Sequence, residues 1–132
     1  GGRRVLVADD NPVNRILTTE LLSMAGLCCV EASSGREAVD ALEANEGAPI
    51  ALVLMDVHMP DMDGMQATRA IRAQARFAGL PILAMTASVL QQEQEQCLLA
   101  GMNAHLSKPV DPPALFQALA HWLDTPRPEA NA

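Results

Sequence analysis

Short apolar runs alternate with longer amphipathic stretches from one end of the chain to the other. Val5 to Ala8, Leu27 to Val30, Ile50 to Met55, Leu80 to Ala84 and Ala104 to Leu106 have the length and composition of strands buried on both faces. Between them, apolar residues recur at helical spacing. Val13, Leu17, Leu21 and Met24 predict the buried stripe of a first helix, Ala38, Val39 and Leu42 that of a second, and Ala67, Ala70 and Ile71 that of a third. Leu115, Phe116, Leu119, Trp122 and Leu123 line one side of the last. This alternation predicts an α/β fold, a doubly wound parallel five-stranded sheet of (βα)5 order with helices on both faces. Right-handed crossovers then gather the carboxyl ends of the strands at one edge, where ligand chemistry is expected.

The element boundaries are written in the capping residues. Asn11 can cap the first helix with Pro12 at its first position, and Gly26 stops it. Ser34 and Glu37 have capping-box spacing, Asp63-Gly64 opens the third helix, and Ser88 to Ala100 is the fourth, stopped by Gly101. Asp111 before Pro112 caps the fifth. Residues 1–124 are expected to form one domain, and 125–132 a loose polar tail.

Composition narrows the function. The 132 residues are 49% hydrophobic, the profile of a single packed core. Net charge is -7 with no basic stripe, which argues against a nucleic-acid groove and favours a cation held by carboxylates. The chain lacks an apolar run near the roughly 20 residues of a membrane span, and Gly1-Gly2-Arg3-Arg4 has no signal-peptide pattern, so a soluble, cytoplasmic domain is expected. Cys28, Cys29 and Cys97 read as reduced core thiols, and Gln91 to Gln96 as a solvated helix face.

The candidate chemistry lies at the strand ends: Asp9-Asp10 after the first, Asp56 after the third, Thr86 after the fourth and Lys108 after the fifth. Taken singly, each has a blander reading, as a cap, a turn or a surface charge. Together they do not. Three convergent carboxylates repel one another unless a hard cation with oxygen ligands neutralises them, and Mg²⁺ fits because it needs only one or two carboxylates plus water and phosphate oxygens. Lys108 supplies a mobile ammonium and Thr86 a hydroxyl donor. Asp56, ionised without a general base, is then the candidate nucleophile for in-line phosphoryl transfer. Met59, Met62 and Met65 sit near this loop, and core packing is the commoner use of such residues.

Val7-Ala8-Asp9-Asp10-Asn11-Pro12, the run from Met55-Asp56 through Asp63-Gly64, Met85-Thr86-Ala87 and Ser107-Lys108-Pro109 resemble the receiver family of two-component phosphotransfer signalling. The resemblance spans nearly the whole chain and implies the flavodoxin-like strand order 2-1-3-4-5. It implies that Asp10 and Asp56 ligate Mg²⁺ directly, the His58 backbone carbonyl is a third ligand, and Asp9 acts through water. Lys108 and Thr86 would bind the phosphoryl group carried by Asp56, and the Lys108-Pro109 bond would be cis. The partner would be a histidine kinase core or a histidine phosphotransfer domain, docking on the first helix around Val13, Asn14 and Leu17 and on the Val110 to Pro113 loop. The family often has Tyr or Phe three residues before the lysine; His105 stands there, so an aromatic switch does not carry over. The wording of the Asp56 to Gly64 and Gly101 to Pro109 segments is similar to receivers of hybrid sensor histidine kinases, whose parent protein can be membrane-anchored. The domain itself would be a phosphoacceptor with self-dephosphorylation, in which phosphorylation draws Thr86 and Lys108 inward and shifts the fourth helix and fifth strand.

Two other classes share parts of this pattern. A phosphatase of the haloacid dehalogenase type also uses Asp, Mg²⁺, Thr and Lys, but wants a second Asp two residues after the nucleophile, where this chain has His58. A flavodoxin-like cofactor module wants hydroxyls and glycines in its first loop, where Asp9-Asp10 would repel a phosphate.

Overall fold

The computed structural model describes residues 3–44, 50–59, 62–87, 90–108 and 110–124. Within them the chain alternates as expected: β1 (Arg4–Ala8), α1 (Pro12–Met24), β2 (Cys28–Ala32), α2 (Gly35–Ala44), β3 (Ile50–Asp56), α3 (Gly64–Arg72), a 3-10 turn (Ala75–Phe77), β4 (Ile82–Thr86), α4 (Gln91–Ala100), β5 (Ala104–Ser107) and α5 (Pro112–Asp124). All strand pairs are parallel and the order is β2-β1-β3-β4-β5. The direction of winding therefore reverses between β1 and β3, which opens a crevice at their carboxyl ends.

The strands' two-residue period divides the core into two layers. Val5, Val7, Leu52, Leu54, Leu83 and Met85 pack with Leu22 of α1 and Leu115 and Leu119 of α5. Leu6, Ala8, Val53, Met55, Ile82 and Ala84 pack with α2, α3 and α4 through Val39, Leu42, Ile71 and Cys97. Each fully buried Leu or Ile contributes about 1.5–3 kcal/mol. A register shift between Arg4 and Val5 leaves Ala51 as an extra residue in β3, which returns Ile50 to the same layer as Val53.

The caps form as the sequence predicts, with additions. Asn11 Oδ1 accepts from the amides of Val13 and Asn14, and Asp111 Oδ2 from Ala114. Gly26 and Gly101 end α1 and α4 with φ of +81° and +113°. In α2, Ser34 Oγ accepts from the Glu37 amide, but the Glu37 carboxylate reaches back to Ser33 N and Oγ rather than to Ser34. A full reciprocal box occurs instead at α3, between Asp63 and Gln66. At the far ends of α3 and α4, Arg72 Nε donates to Gly101 O (2.9 Å), Nη1 to Phe77 O (2.6 Å) and Nη2 to Asn103 Oδ1 (2.8 Å).

Several expectations need correction. The buried side of α1 is Thr18 and Leu22 with Asn14 and Leu21 partly covered; Val13, Leu17 and Met24 are exposed, at 63%, 54% and 77%. The Thr18 hydroxyl donates to the Asn14 carbonyl (2.9 Å), so a polar residue can face the sheet at little cost while apolar ones face outward. β2 and β4 are displaced toward the C-terminus relative to the predicted runs, β4 because Pro81 has no amide to give to the ladder. Cys28 lies exposed on the edge strand and is not a core thiol; Cys97 is buried, Cys29 half-buried, and all three are free. Met59 is buried, with Met62 and Met65 packed against the same layer, so the methionines serve the core. Ser88, the Lys108-Pro109 bond and the 125–132 tail lie outside the described residues.

Candidate functional site

Four strand tips deliver the polar residues to one crevice. Asp9 and Asp10 follow β1, Asp56 is the last residue of β3, Thr86 ends β4, and Lys108 follows β5 with its amide donating to Thr86 O (3.0 Å). One carboxylate oxygen from each of Asp9, Asp10 and Asp56 falls within 4.8 Å of the others. Asp9 and Asp56 are buried, Asp10 exposed. Lys108 Nζ lies 2.9 Å from Asp56 Oδ2 and 3.5 Å from Asp9 Oδ2.

The remaining lone pairs are partly used by the backbone. Asp9 Oδ1 accepts from the Asn11 amide (2.9 Å), and Asp56 Oδ1 from the His58 amide (3.2 Å). The start of α3 closes tightly on the end of β3. Gly64 N donates to Val57 O, and a Cβ on Gly64 would stand 2.3 Å from the Asp56 carbonyl oxygen, so only glycine fits there.

Lys108 faces the carboxylates, yet burial outweighs its pull on Asp56. Burial pushes the Asp56 pKa up from 3.8 to about 6, against the downward pull of the Lys108 hydrogen bond and charge and with a further upward push from Asp9. The donor set is all oxygen, and the buried acids lack a full complement of positive charge. Such a cluster suits a hard divalent cation.

Thr86 is buried at the tip of β4, but its hydroxyl donates to Glu93 Oε1 of α4 (3.0 Å). The same oxygen lies 2.9 Å from His58 Nε2. The Gln91 to Gln96 stretch is therefore not simply a solvated face: Glu93 turns inward with 17% of its side chain exposed. No local pattern marks it, because its partners arrive from β4 and from the loop after β3. His105 is exposed on β5.

Beside the carboxylates, a cleft of about 190 Å³ runs between α1 and the start of α5, lined by Asp9, Asn14, Leu17, Lys108 and Val110 among others. A larger cavity of about 610 Å³ lies at the opposite end, between Gly26-Leu27 and Leu119 to Leu123, and touches none of the acids. Among the described residues, no helix is long and apolar enough to cross a membrane.

Comparison with known proteins agrees with this geometry. The family model described as "Response regulator receiver domain" matches residues 5–120. The sensor protein GacS of Pseudomonas syringae pv. syringae is 41% identical over 96% of this chain, which covers 14% of GacS. The chain thus spans about one seventh of that relative. The receiver domain of sensor histidine kinase PA1611 from Pseudomonas aeruginosa, solved with a magnesium ion coordinated in the active site cleft, superposes with a TM-score of 0.86 at 37% identity, covering 95% of this chain and 100% of that one. The receiver domain of Ssk1 from Saccharomyces cerevisiae, solved with the histidine phosphotransfer protein Ypd1, gives 0.82 at 30% identity, covering 92% and 88%.

Proposed function

Because the chain belongs to the response regulator receiver family, we propose that it accepts a phosphoryl group from a phosphohistidine onto Asp56, with Mg²⁺ in the acidic cluster. The observation that carries this reading is the burial of Asp56 between Lys108 and two further carboxylates, at the strand-order reversal. Asp56, Asp10 and the His58 backbone carbonyl would hold the ion directly and Asp9 through water. When bound, the ion would offset the crowded negative charge and that of the incoming phosphoryl oxygens.

The chain's own residues do the rest. A carboxylate oxygen of Asp56 forms the new O–P bond as the N–P bond of the phosphohistidine breaks, and the leaving imidazole keeps the electron pair and takes a proton from solvent. Lys108, now paired with Asp56, follows the charge onto the phosphoryl oxygens, and the Thr86 hydroxyl donates to another. Burial keeps bulk water from the resulting acyl phosphate.

The partner would be a phosphohistidine-bearing protein, a histidine kinase core or a histidine phosphotransfer domain. Exposed Val13, Ile16 and Leu17 on α1 and the neighbouring cleft at Val110 and Pro112 offer it an apolar platform next to Asp56. Likeness to sensor kinases supports a larger hybrid sensor histidine kinase as parent; this domain would then lie on the cytoplasmic side. The haloacid dehalogenase alternative is not supported: the family match points elsewhere, and His58 stands where its second acid belongs.

Incubation with a labelled phosphohistidine donor tests the reading. Label should appear on the wild-type protein only with Mg²⁺ and be absent from Asp56→Asn. Label retained by Asp56→Asn would mean another acceptor.

A further inference from the structure

A single oxygen of Glu93 serves two groups at the rim of the phosphoryl site. Oε1 accepts from the Thr86 hydroxyl at 3.0 Å and lies 2.9 Å from His58 Nε2. Thr86 comes from the tip of β4, His58 from the loop after β3, and Glu93 from the first turn of α4, so one carboxylate ties three elements. With a carboxylate as acceptor, the imidazole must carry its proton on Nε2. Glu93 is mostly covered, which shelters the Thr86 contact from competing water.

A hydroxyl has one proton. While Thr86 donates it to Glu93, it cannot donate it to a phosphoryl oxygen on Asp56. We propose that Glu93 is a positioning residue that holds the Thr86 hydroxyl away from the acceptor in the unphosphorylated protein, and so sets the affinity of the site for a phosphoryl group. Phosphorylation breaks this contact and releases the first turn of α4. The inference rests on the assignment of Asp56 as acceptor and Thr86 as phosphoryl ligand. Glu93 also repels the phosphoryl group by charge, but that effect does not pass through Thr86.

The two effects separate in a mutant cycle. Beryllofluoride with Mg²⁺ is titrated into the full chain and followed by ¹⁹F NMR, for Glu93→Ala and Glu93→Gln in the wild-type and Thr86→Ala backgrounds. Glu93→Ala should tighten binding about tenfold where Thr86 is present, the loss of one hydrogen bond to a charged group. Glu93→Gln should tighten it less, because its amide oxygen still accepts. In Thr86→Ala the gain should fall below about twofold. Equal gains in both backgrounds would reduce Glu93 to a bulk charge and overturn the proposal, as would no gain at all. Failure of the wild type to bind, or equal binding by Asp56→Asn, would instead sink the assignment of the acceptor, and the role of Glu93 with it.

Discussion

Substituting Asp56→Asn should stabilise the metal-free protein at neutral pH even though it removes the proposed acceptor. Burial raises the Asp56 pKa from 3.8 to about 6, so ionising it costs more in the folded protein than in the unfolded chain, although at neutral pH it is still mostly ionised. Each unit corresponds to about 1.4 kcal/mol, which sets an upper bound of about 3 kcal/mol on the cost of ionising it in place. Water at the mouth of the crevice screens part of this, and Asn holds Lys108 less strongly than the carboxylate does. A net gain of about 1–2 kcal/mol is the expected outcome. The sign follows from linkage: a folded-state pKa above the unfolded one gives stability that is full below about pH 4 and lost as pH rises through about 6. Urea unfolding with chelator present, from about pH 4 to pH 8, should therefore show the variant ahead at neutral pH and the two curves converging in acid. Added Mg²⁺ should favour the wild type and shrink or reverse the gap. A difference that stays constant with pH, or a variant less stable at neutral pH, would refute the argument.

Two further outcomes follow from the same geometry. Leu17→Ser, at an exposed position on α1, should change stability by no more than about 0.5 kcal/mol and leave labelling by a small phosphodonor intact, while slowing transfer from a phosphohistidine protein by about tenfold; equal loss with both donors would remove α1 from the docking face. Gly64→Ala forces a methyl against the Asp56 carbonyl oxygen and should lower the unfolding free energy by about 1–3 kcal/mol as well as the labelling yield, and an unchanged urea midpoint would show that the loop yields freely.

The alternation of strands and helices and the convergence of Asp9, Asp10, Asp56 and Lys108 were legible because the signals are local: apolar runs, Asn-Pro and Asp-Pro starts, and Gly stops, with acids at the strand tips; the strand order came only with the family resemblance. The facing of α1 was not. Val13, Ile16, Leu17, Leu21, Leu22 and Met24 cover much of its circumference, so periodicity alone does not choose a side. The choice depends on Thr18 satisfying its hydroxyl within the helix, which only the packed structure reveals. Glu93 was hidden for a related reason. Among glutamines it reads as surface, and its two partners are seven and thirty-five residues away. The tight turn at Gly64 was half visible, as a helix start, without the close approach that demands glycine.

Arg72 gives α4 one permanent anchor, against a releasable one at its other end. Its guanidinium binds Gly101 and Asn103 just beyond the helix, while the opposite end is fastened through Glu93 to groups that a phosphoryl ligand would claim. If a phosphoryl ligand took those groups, a rod about 15 Å long, riveted at one tip, would swing rather than slide. Displacement would then be greatest near Gln91 and fade toward Ala100, so a binding protein that sensed the swing would gain most by gripping the half of the rod nearest Asp56.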